Sequence, residues 1–249
     1  AVAQGEFLGF VDSDDWIEPD MYEFLYHLLK ENGADISICS HYRDKGKKSV
    51  AKYSSGEQFV FTRDEGIRAL VVDRRIRNYV WDKLYKRRLF SGITFPLNRI
   101  FEDIAISYRI FYKAEKIVVR EFPKYHYVIR DGSAMQSKYD PLKEHNLFLS
   151  VYEQVYFVLE KGIWDQAPIY VLRRGIRLID HMSMLRPSSS TEGVIKDVLA
   201  KMHEFDDVSC CQLGLSLSLK RYFIFHYMSA YRKTYRFVRL ILKSKRHKF

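Results

Sequence analysis

The sequence has few cysteines, glycines and prolines, and each scarcity excludes a class of protein. Three cysteines in 249 residues, two of them adjacent at Cys210 and Cys211, do not make a disulfide framework, so we expect reduced thiols in a cytoplasmic protein. The 12 glycines and 6 prolines exclude a collagen-like chain and a turn-dense all-β protein. Hydrophobic residues make up 47% of the chain, which excludes intrinsic disorder.

Long hydrophobic runs are also missing. No stretch reaches the roughly 18 uncharged apolar residues that a membrane-spanning helix needs. The opening residues AVAQGE lack the basic region and the apolar core of a secretory signal. We therefore expect a cytoplasmic location, with at most peripheral attachment to the inner face of the cell membrane.

Acidic residues are absent after Asp207, whereas ten basic residues follow it. The rest of the chain, 1–207, is electrically balanced, so the net charge of +10 comes from this last segment. A terminal basic segment, unlike a basic face on the folded body, favours an anionic membrane surface over nucleic acid as the partner. Residues 220–249 are predicted to form a basic amphipathic helix, and a packed helix with a solvated basic edge is the alternative.

Hydrophobic periodicity divides the chain into two parts. Strand and helix patterns alternate through about residue 128, which predicts an α/β layer structure, and only helix patterns follow Asp140. We therefore predict an α/β domain at 1–135 and a mostly α-helical region at 136–249. The predicted strands are 7–11, 35–40 and 116–120; the predicted helices are 18–32, 62–73, 81–90 and 104–114, with others starting at 140, 167 and 191; 41–58 is predicted as a mobile loop or an irregular hairpin.

Three carboxylates crowd the end of the first predicted strand, at Asp12, Asp14 and Asp15. Such groups repel one another unless they are solvated or a cation neutralises them. Hard oxygen ligands favour Mg²⁺ or Mn²⁺, completed by substrate phosphate and water. Trp16 excludes both a haloacid-dehalogenase-type phosphatase motif and an EF-hand loop. A solvated acidic turn before the next helix is the alternative.

Glu102 and Asp103 form a second acidic element, directly before a predicted helix. The helix dipole alone explains carboxylates at this position. A functional interpretation is a general base that takes a proton from an acceptor hydroxyl. In the segment before it, Trp81 is a candidate platform for a sugar ring and Lys83 a candidate phosphate contact, and an amphipathic helix with a buried tryptophan is the alternative.

Residues 125–130 combine an aromatic pair with His126 and Arg130. The imidazole is a candidate metal ligand, and the guanidinium is a candidate phosphate contact. A histidine beside aromatic residues is also a common packed and hydrogen-bonded residue, and this alternative stays open.

In this order and spacing, the segments resemble the bacterial family 2 glycosyltransferases. Those enzymes commonly carry a run of the type A-x-G-E-Y…D-S-D-D-W…P, a W-N-K-L-Y segment, an E-D segment and a Y-x-Y-x-x-R-x-x-S segment. Asp82 stands where the second of these usually has Asn. The matching stretches are AQGEFLGFVDSDDWIEP at 3–19, VWDKLYKRRLF at 80–90, FEDIAISYRIF at 101–111 and YHYVIRDGSAM at 125–135.

The resemblance implies a GT-A fold, a Rossmann-like sheet, and the site residues that go with it. Asp12 and Asp14 would hold a divalent metal, Mg²⁺ or Mn²⁺, and through it the diphosphate of the donor, with Asp15 adjacent. Asp103 would be the base of an inverting transfer and Glu102 its neighbour. The remaining assignments are diphosphate or phosphate contacts for Lys83 and Arg130 and an acceptor contact for Trp81.

The family's first nucleotide-binding strands should precede the matched part, so we expect a partial, N-terminally truncated GT-A sheet. The implied activity is that of a hexosyltransferase that moves a sugar from a UDP-sugar to a hydroxyl of a polysaccharide or lipid-linked glycan. We expect the 249-residue chain to bind nucleotide-sugar poorly and to be inactive alone. The alternative function is that of a non-catalytic, truncated binding or scaffold protein associated with the membrane surface.

Overall fold

The computed structural model describes residues 3–97, 99–130 and 140–246. The chain divides into two compact units, Ala1–Lys138 and Tyr139–Phe249. The domain boundary predicted at 135/136 and the end of the fourth matched segment, 131–135, lie outside the described residues, as do residues 247–249 of the basic segment. The α/β class and the helical second part are confirmed.

The first unit contains a mixed sheet, in which the described residues supply seven strands. The strands are β1 (Phe7–Gly9), β2 (Trp16–Ile17), β3 (Ile36–Lys45), β4 (Lys48–Lys52), β5 (Gln58–Thr62), β6 (Lys83–Lys86) and β7 (Lys116–Val128). Their order in the sheet is β1-β6-β3-β7-β2. In addition, β4 pairs with β3, and β5 pairs with β7.

Strands β3 and β7 run parallel and organise the sheet. Their first halves pair with β6 and β5, whereas their second halves pair with β4 and β2. The register shifts between Ile38 and His41, which separates the two halves of β3. The segment 41–58, predicted as a loop or an irregular hairpin, is largely the antiparallel β3–β4 hairpin. The second half of β7 carries Tyr125 and His126 toward β2, next to the acidic segment.

Three helices of the first unit were predicted from capping and periodicity and are confirmed. The capping box that opens the second helix is present: the Thr62 side chain accepts from the Glu65 N–H, and the Glu65 carboxylate accepts from Thr62. Gly33 ends the first helix with φ of +59°, a left-handed conformation that glycine adopts without strain. The helices are α1 (Met21–Glu31), α2 (Arg63–Val72) and α3 (Glu102–Tyr112).

The predicted helix at 81–90 is wrong, because the chain forms β6 followed by a short 3₁₀ turn at Arg87–Phe90. Strand β6 lies between β1 and β3 and pairs antiparallel with both. Lys83, Leu84 and Tyr85 are all buried, so the side chains on both faces of the strand lie in the interior. A strand covered on both faces loses its polar–apolar alternation, and the sequence pattern then does not distinguish it from a helix.

The second unit is helical throughout its described part, as predicted. Asp140 caps its first helix and Pro141 begins it, and Pro168 begins the next. None of the described helices is long and apolar enough to cross a membrane. The three cysteines of the chain are free thiols. The helices are α4 (Pro141–Glu160), α5 (Pro168–Met182), α6 (Ser189–His203), α7 (Cys210–Leu213) and α8 (Leu215–Arg246), the last interrupted at Tyr227.

Candidate active site

The acidic segment turns sharply after β1 and is fastened to β7 by one of its carboxylates. Asp15 Oδ2 accepts a hydrogen bond of 2.8 Å from the Tyr125 hydroxyl, and Asp15 Oδ1 accepts one of 2.8 Å from the Val128 N–H. The same Tyr125 hydroxyl accepts from the Asp12 N–H at 3.1 Å. Asp15 therefore fixes the shape of the turn, because both of its oxygens already have donors.

Asp12 and Asp14 have carboxylates of a different kind. Within the part of the chain that the structure describes, no hydrogen bond occupies the side-chain oxygens of either residue. Burial raises the pKa of Asp12, and the negative charges of Asp15, Asp14 and Glu102 raise it further. The geometry thus leaves two carboxylates available to a ligand at a place where negative charge accumulates.

Arg130 brings a positive charge to this segment. Its Nη2 donates to the Asp14 carbonyl oxygen at 2.8 Å, and its guanidinium is exposed. The charge also acts on Asp15, whose pKa it lowers in opposition to the larger upward effect of burial. Arg130 therefore lies beside the acidic segment, and its contact with a phosphate stays a prediction.

Glu102 and Asp103 open α3, after Phe101 in a left-handed conformation with φ of 65°. A bulky residue adopts this conformation at a cost of about 1–3 kcal/mol, which the surrounding fold must supply. Asp103 Oδ1 accepts a hydrogen bond of 2.7 Å from the Ile104 N–H. Burial nevertheless raises the pKa of Asp103 to about 6, with Glu102 adding to the rise. A carboxyl group with this pKa exchanges protons near neutral pH, as a general base requires.

The two acidic elements share one region of the molecule. Asp12 and Glu102 are ninety positions apart in the sequence, yet the Glu102 charge is one of the causes of the raised Asp12 pKa. The fold achieves this because β6, which pairs with β1, leads through the 3₁₀ turn toward α3. The arrangement therefore combines a pair of free carboxylates with a carboxyl group that titrates near neutral pH.

Trp81 lies in the interior and not on an open surface. It belongs to a core cluster with Met21, Leu25 and Leu84, and its ring stacks on Tyr125 with 4.2 Å between centroids. The prediction that Trp81 is an exposed platform for a sugar acceptor therefore needs correction. The alternative, a buried tryptophan, describes the structure, although the segment is a strand and not a helix.

Lys83 is likewise not available to a phosphate in this structure. It is fully buried, and its ammonium group donates to the carbonyl oxygens of Arg77 and Tyr79 at 2.9 and 2.5 Å and to the Asp82 carboxylate. An ammonium group has three N–H donors, so these three acceptors use all of them. The predicted diphosphate contact is corrected to a structural ion pair between Lys83 and Asp82.

Substituting Lys83 with methionine tests this correction. The variant leaves a buried carboxylate and two carbonyl oxygens without a donor, and we expect it to lose about 3–5 kcal/mol of unfolding free energy. Urea denaturation followed by circular dichroism gives the value. Arg130→Met, which removes an exposed cation, is the matched control, with an expected loss of less than about 1 kcal/mol. Equal midpoints for the two variants would contradict a structural role for Lys83.

His126 is packed and hydrogen-bonded, as one of the two alternatives predicted. Its Nδ1 lies 2.9 Å from Asp44 Oδ2, and its Nε2 lies 3.0 Å from Glu18 Oε1. Both ring nitrogens are therefore occupied, and the imidazole has no lone pair directed at a metal.

Tyr125 is a residue of the site that the sequence analysis did not single out. Its fully buried ring stacks on Trp81, and its hydroxyl joins Asp12 to Asp15. Tyr125 and Tyr127 alternate on β7 and so lie on one face of the strand. The alternation of tyrosines in the Y-x-Y segment was the sequence signal that could have identified Tyr125. Because Tyr125 is buried beneath the acidic turn, its role there is to support the turn.

The donor set fits a hard divalent cation, although the described residues contain no group of three or more His, Cys, Asp or Glu side chains that could hold a metal ion. Asp12 and Asp14 supply two carboxylates, which is the number by which proteins commonly hold Mg²⁺ alongside substrate phosphates and water. A cation there would also offset the repulsion that raises the Asp12 pKa. Cation binding by these two residues stays a prediction.

The mixed sheet and its helices form a GT-A-like fold, and three comparisons show which known proteins the chain resembles. Residues 1–101 match the family model described as glycosyl transferase family 2. The putative glycosyltransferase EpsH of Bacillus subtilis (strain 168) is 32% identical over 155 residues, which cover 59% of this chain and 44% of EpsH. Glycosyltransferase GlyG of Streptococcus pneumoniae serotype 4 is 31% identical over 150 residues, which cover 56% of this chain and 49% of GlyG.

The crystal structure of S. aureus TarS 1-349 in complex with UDP-GlcNAc shares the fold. The TM-score is 0.64 at 21% sequence identity, and the match covers 99% of this chain and 69% of that one. The first 101 residues of the chain are therefore similar to glycosyltransferase family 2, and the predicted GT-A-like fold is confirmed. The chain spans less than half the length of EpsH and of GlyG.

Proposed function

We propose that the protein transfers a sugar from a UDP-sugar to a hydroxyl group of a polysaccharide or lipid-linked glycan, with inversion and with the help of a divalent metal. The observation that carries the proposal is the presence, in one region, of two carboxylates that accept no hydrogen bond from the described residues and of Asp103 with a pKa of about 6. The match of residues 1–101 to the glycosyl transferase family 2 model and the fold shared with TarS, which has been crystallised with UDP-GlcNAc, support a nucleotide-sugar donor.

Asp12 and Asp14 would hold Mg²⁺ or Mn²⁺. When bound, the cation would supply positive charge against the negative charge that develops on a departing nucleoside diphosphate. Arg130 adds a fixed cation beside Asp14, and its exposed guanidinium can also meet a phosphate oxygen. Asp15 keeps the turn rigid through Tyr125 and Val128, so the neighbouring carboxylates need little reorganisation before substrate binds.

Asp103 would act on the acceptor. Its ionised carboxylate accepts the proton of the attacking hydroxyl while that oxygen forms a bond to the anomeric carbon and the bond to the leaving diphosphate breaks. Displacement from the face opposite the leaving group inverts the anomeric centre. Because Asp103 lies on α3 and the free carboxylates follow β1, the two functions are carried by separate elements of the fold.

A UDP-release assay tests the activity. The complete gene product is incubated with UDP-glucose, UDP-galactose and UDP-GlcNAc, with and without Mn²⁺, and free UDP is measured. We expect UDP release from at least one donor, loss of at least about tenfold with EDTA, and recovery on adding Mn²⁺. A protein that releases no UDP from any of the three donors contradicts the proposal and favours the non-catalytic alternative.

We also propose that α8 attaches the protein peripherally to an anionic membrane. Several of its basic side chains are engaged inside the second unit: Lys220 bonds to Asp180 at 2.5 Å and Arg232 to Glu192 at 2.6 Å. Lys233 and Arg239 are exposed. The helix also exposes large apolar side chains, which a bilayer interface would bury. These are Leu215, Leu219, Tyr222, Phe223, Tyr227, Phe237, Val238 and Ile241.

Substituting both Phe223 and Phe237 with serine should weaken vesicle binding about tenfold or more, because each phenyl ring buried at the interface contributes apolar transfer free energy. Co-sedimentation with vesicles of phosphatidylglycerol and phosphatidylcholine measures this. Phe122→Ser, which alters a phenylalanine of the first unit that is as exposed as Phe223, is the control. Point substitutions are preferable to deletion of 220–249, since Lys220 and Arg232 hold α8 to other helices of its unit. Equal pelleting of all three proteins would remove the membrane proposal.

A further inference from the structure

Trp16 is the exposed end of a stack of three aromatic rings on the part of the sheet formed by β2, β3 and β7. Its ring lies 3.4 Å from that of His126, centroid to centroid, at an interplanar angle of 13°. His126 in turn stacks on Tyr42 at 4.4 Å and 17°. Trp16 is 49% exposed, whereas His126 is buried. One face of the indole is therefore covered by His126, and the side chain keeps a large apolar area in contact with solvent.

The stack is held in place from both sides. Strand pairing sets Trp16 directly opposite His126 on β7. Glu18 and Asp44 bond to the two nitrogens of His126, which prevents the imidazole from turning under the indole. An exposed tryptophan on a mobile loop would lose side-chain freedom on binding, but this one is already ordered, so it binds a ligand at a smaller entropic cost.

The stack adjoins the proposed catalytic centre. Trp16 directly follows Asp15, both of whose oxygens are bonded to β7, and Arg130, just beyond β7, donates to the carbonyl oxygen of Asp14. The position of the indole relative to the acidic segment is thus set by the same hydrogen bonds that shape the segment. A flat apolar surface is rigidly placed beside a group of carboxylates.

We propose that Trp16 binds the ring of a substrate sugar by stacking, which makes it a subsite of the site proposed above and rests on that function. A pyranose has an apolar face of C–H groups and an edge of hydroxyls. The indole buries the face, and nearby carboxylates such as Glu18 and Asp14 accept from hydroxyls. An anionic headgroup matches these surroundings poorly, because the carboxylates repel it. A lipid chain matches them poorly as well, because it offers the carboxylates no hydrogen-bond donor.

Two substrates bring a pyranose to this place, the donor and the acceptor, and both present the same chemistry to Trp16. A nucleobase also stacks on tryptophan, and stacking of uracil would replace the proposal. The sequence alone favours Trp81 as the stacking residue, and the structure moves that role to Trp16 because Trp81 is buried.

Binding is tested on the 249-residue chain labelled with 5-fluorotryptophan, which contains three tryptophans. The ¹⁹F signals are followed during titration with methyl glycosides of glucose, galactose, rhamnose and N-acetylglucosamine, and separately with uridine. We expect the Trp16 signal, assigned with Trp16→Phe, to shift with at least one glycoside at about 1–10 mM, the range of weak single-ring affinities. The signal of buried Trp81 should not move. A Trp16 signal that moves with none of the glycosides, or with uridine alone, overturns the proposal.

Kinetics on the complete gene product separates the two sugars. Trp16→Ala should raise the KM of the sugar that it contacts about tenfold or more, that is, of the acceptor in transfer or of the donor in acceptor-free hydrolysis. Trp16→Phe should recover part of the loss, and Phe122→Ala should change neither KM. Unchanged KM values for both sugars in an active Trp16→Ala enzyme also overturn the proposal, and they leave the glycosyltransferase function standing. An absence of activity in the unsubstituted protein is instead a failure of the proposed function.

Discussion

Replacing Asp103 with asparagine is expected to lower kcat by about 10²–10⁴-fold, the usual contribution of a general base. The amide is almost the same size as the carboxylate, and its oxygen can still accept from the Ile104 N–H, so α3 should begin as it does now. The variant lacks only the proton acceptor. UDP release and product formation measure the effect, and thermal unfolding checks that the fold is intact. A variant that keeps more than about a tenth of the original kcat would contradict the assignment.

The pH profile gives the same test without a substitution. Because burial raises the pKa of Asp103 to about 6, the base is protonated and inactive below that pH. We expect kcat/KM to fall about tenfold per pH unit on the acidic side, with a midpoint near pH 6 that disappears in Asp103→Asn. Glu102→Gln removes a charge that raises this pKa, so it should move the acidic limb to lower pH. If the acidic limb of the pH profile does not move in Glu102→Gln, Glu102 does not influence the pKa of the base.

The helices of the first unit were predictable because their signals are local. Thr62 and Glu65 form a capping box within four residues, and Gly33 stands where the left-handed end of α1 requires it. These features depend on the backbone of one segment and need no partner from elsewhere in the chain. The same holds for Asp140 and Pro141 at the start of α4.

The segment at 81–90 shows where local reasoning fails. Lys83 has a charged side chain that a sequence pattern assigns to the surface, but the fold brings the Arg77 and Tyr79 carbonyls and the Asp82 carboxylate around its ammonium group. Only the three-dimensional arrangement shows that these acceptors converge. Strands β1 and β3 then enclose the segment on both edges. Because Lys83 is buried and paired, the segment has no polar–apolar alternation that would identify it as a strand. For the same reason, Lys83 is not available for the predicted phosphate contact.

The sequence predicted which residues belong to the candidate site better than it predicted the role of each one. Residue type and spacing identify Asp12, Asp14 and Asp15 as one acidic group, and only the family resemblance sets Asp15 apart from the two candidate metal ligands. The structure gives a physical reason for the difference, because the Tyr125 hydroxyl and the Val128 N–H, both more than 100 positions away, donate to the carboxylate of Asp15 and not to those of Asp12 and Asp14. That distinction depends on the pairing of β2 with β7. Strand β2 has only two residues, which is too short for a sequence pattern to predict the pairing.

The different roles of these three aspartates lead to the second prediction of a large effect on kcat. Asp12→Asn and Asp14→Asn should each lower kcat about 10²–10³-fold, as expected when transition-state charge stabilisation is lost, while leaving the fold unchanged. The raised pKa of Asp12 sets the sign of its effect on stability. A carboxyl group whose pKa is raised by folding favours the folded state when protonated and loses that contribution as the pH rises through its folded pKa. At neutral pH the ionised Asp12 is therefore a cost, and Asp12→Asn should be as stable as the original protein or more stable.

Asp15→Ala should show the opposite behaviour. It leaves the Val128 N–H and the Tyr125 hydroxyl without their acceptor, and we expect a loss of about 1–3 kcal/mol in unfolding free energy. Urea denaturation measures this value, and isothermal titration with Mn²⁺ compares the three variants. Cation binding should disappear in Asp12→Asn and Asp14→Asn, and added Mn²⁺ should raise the melting temperature of the unsubstituted protein but not theirs. If Mn²⁺ stabilises Asp12→Asn as much as the original protein, Asp12 does not hold the cation, and the crowding of carboxylates after β1 requires a different explanation.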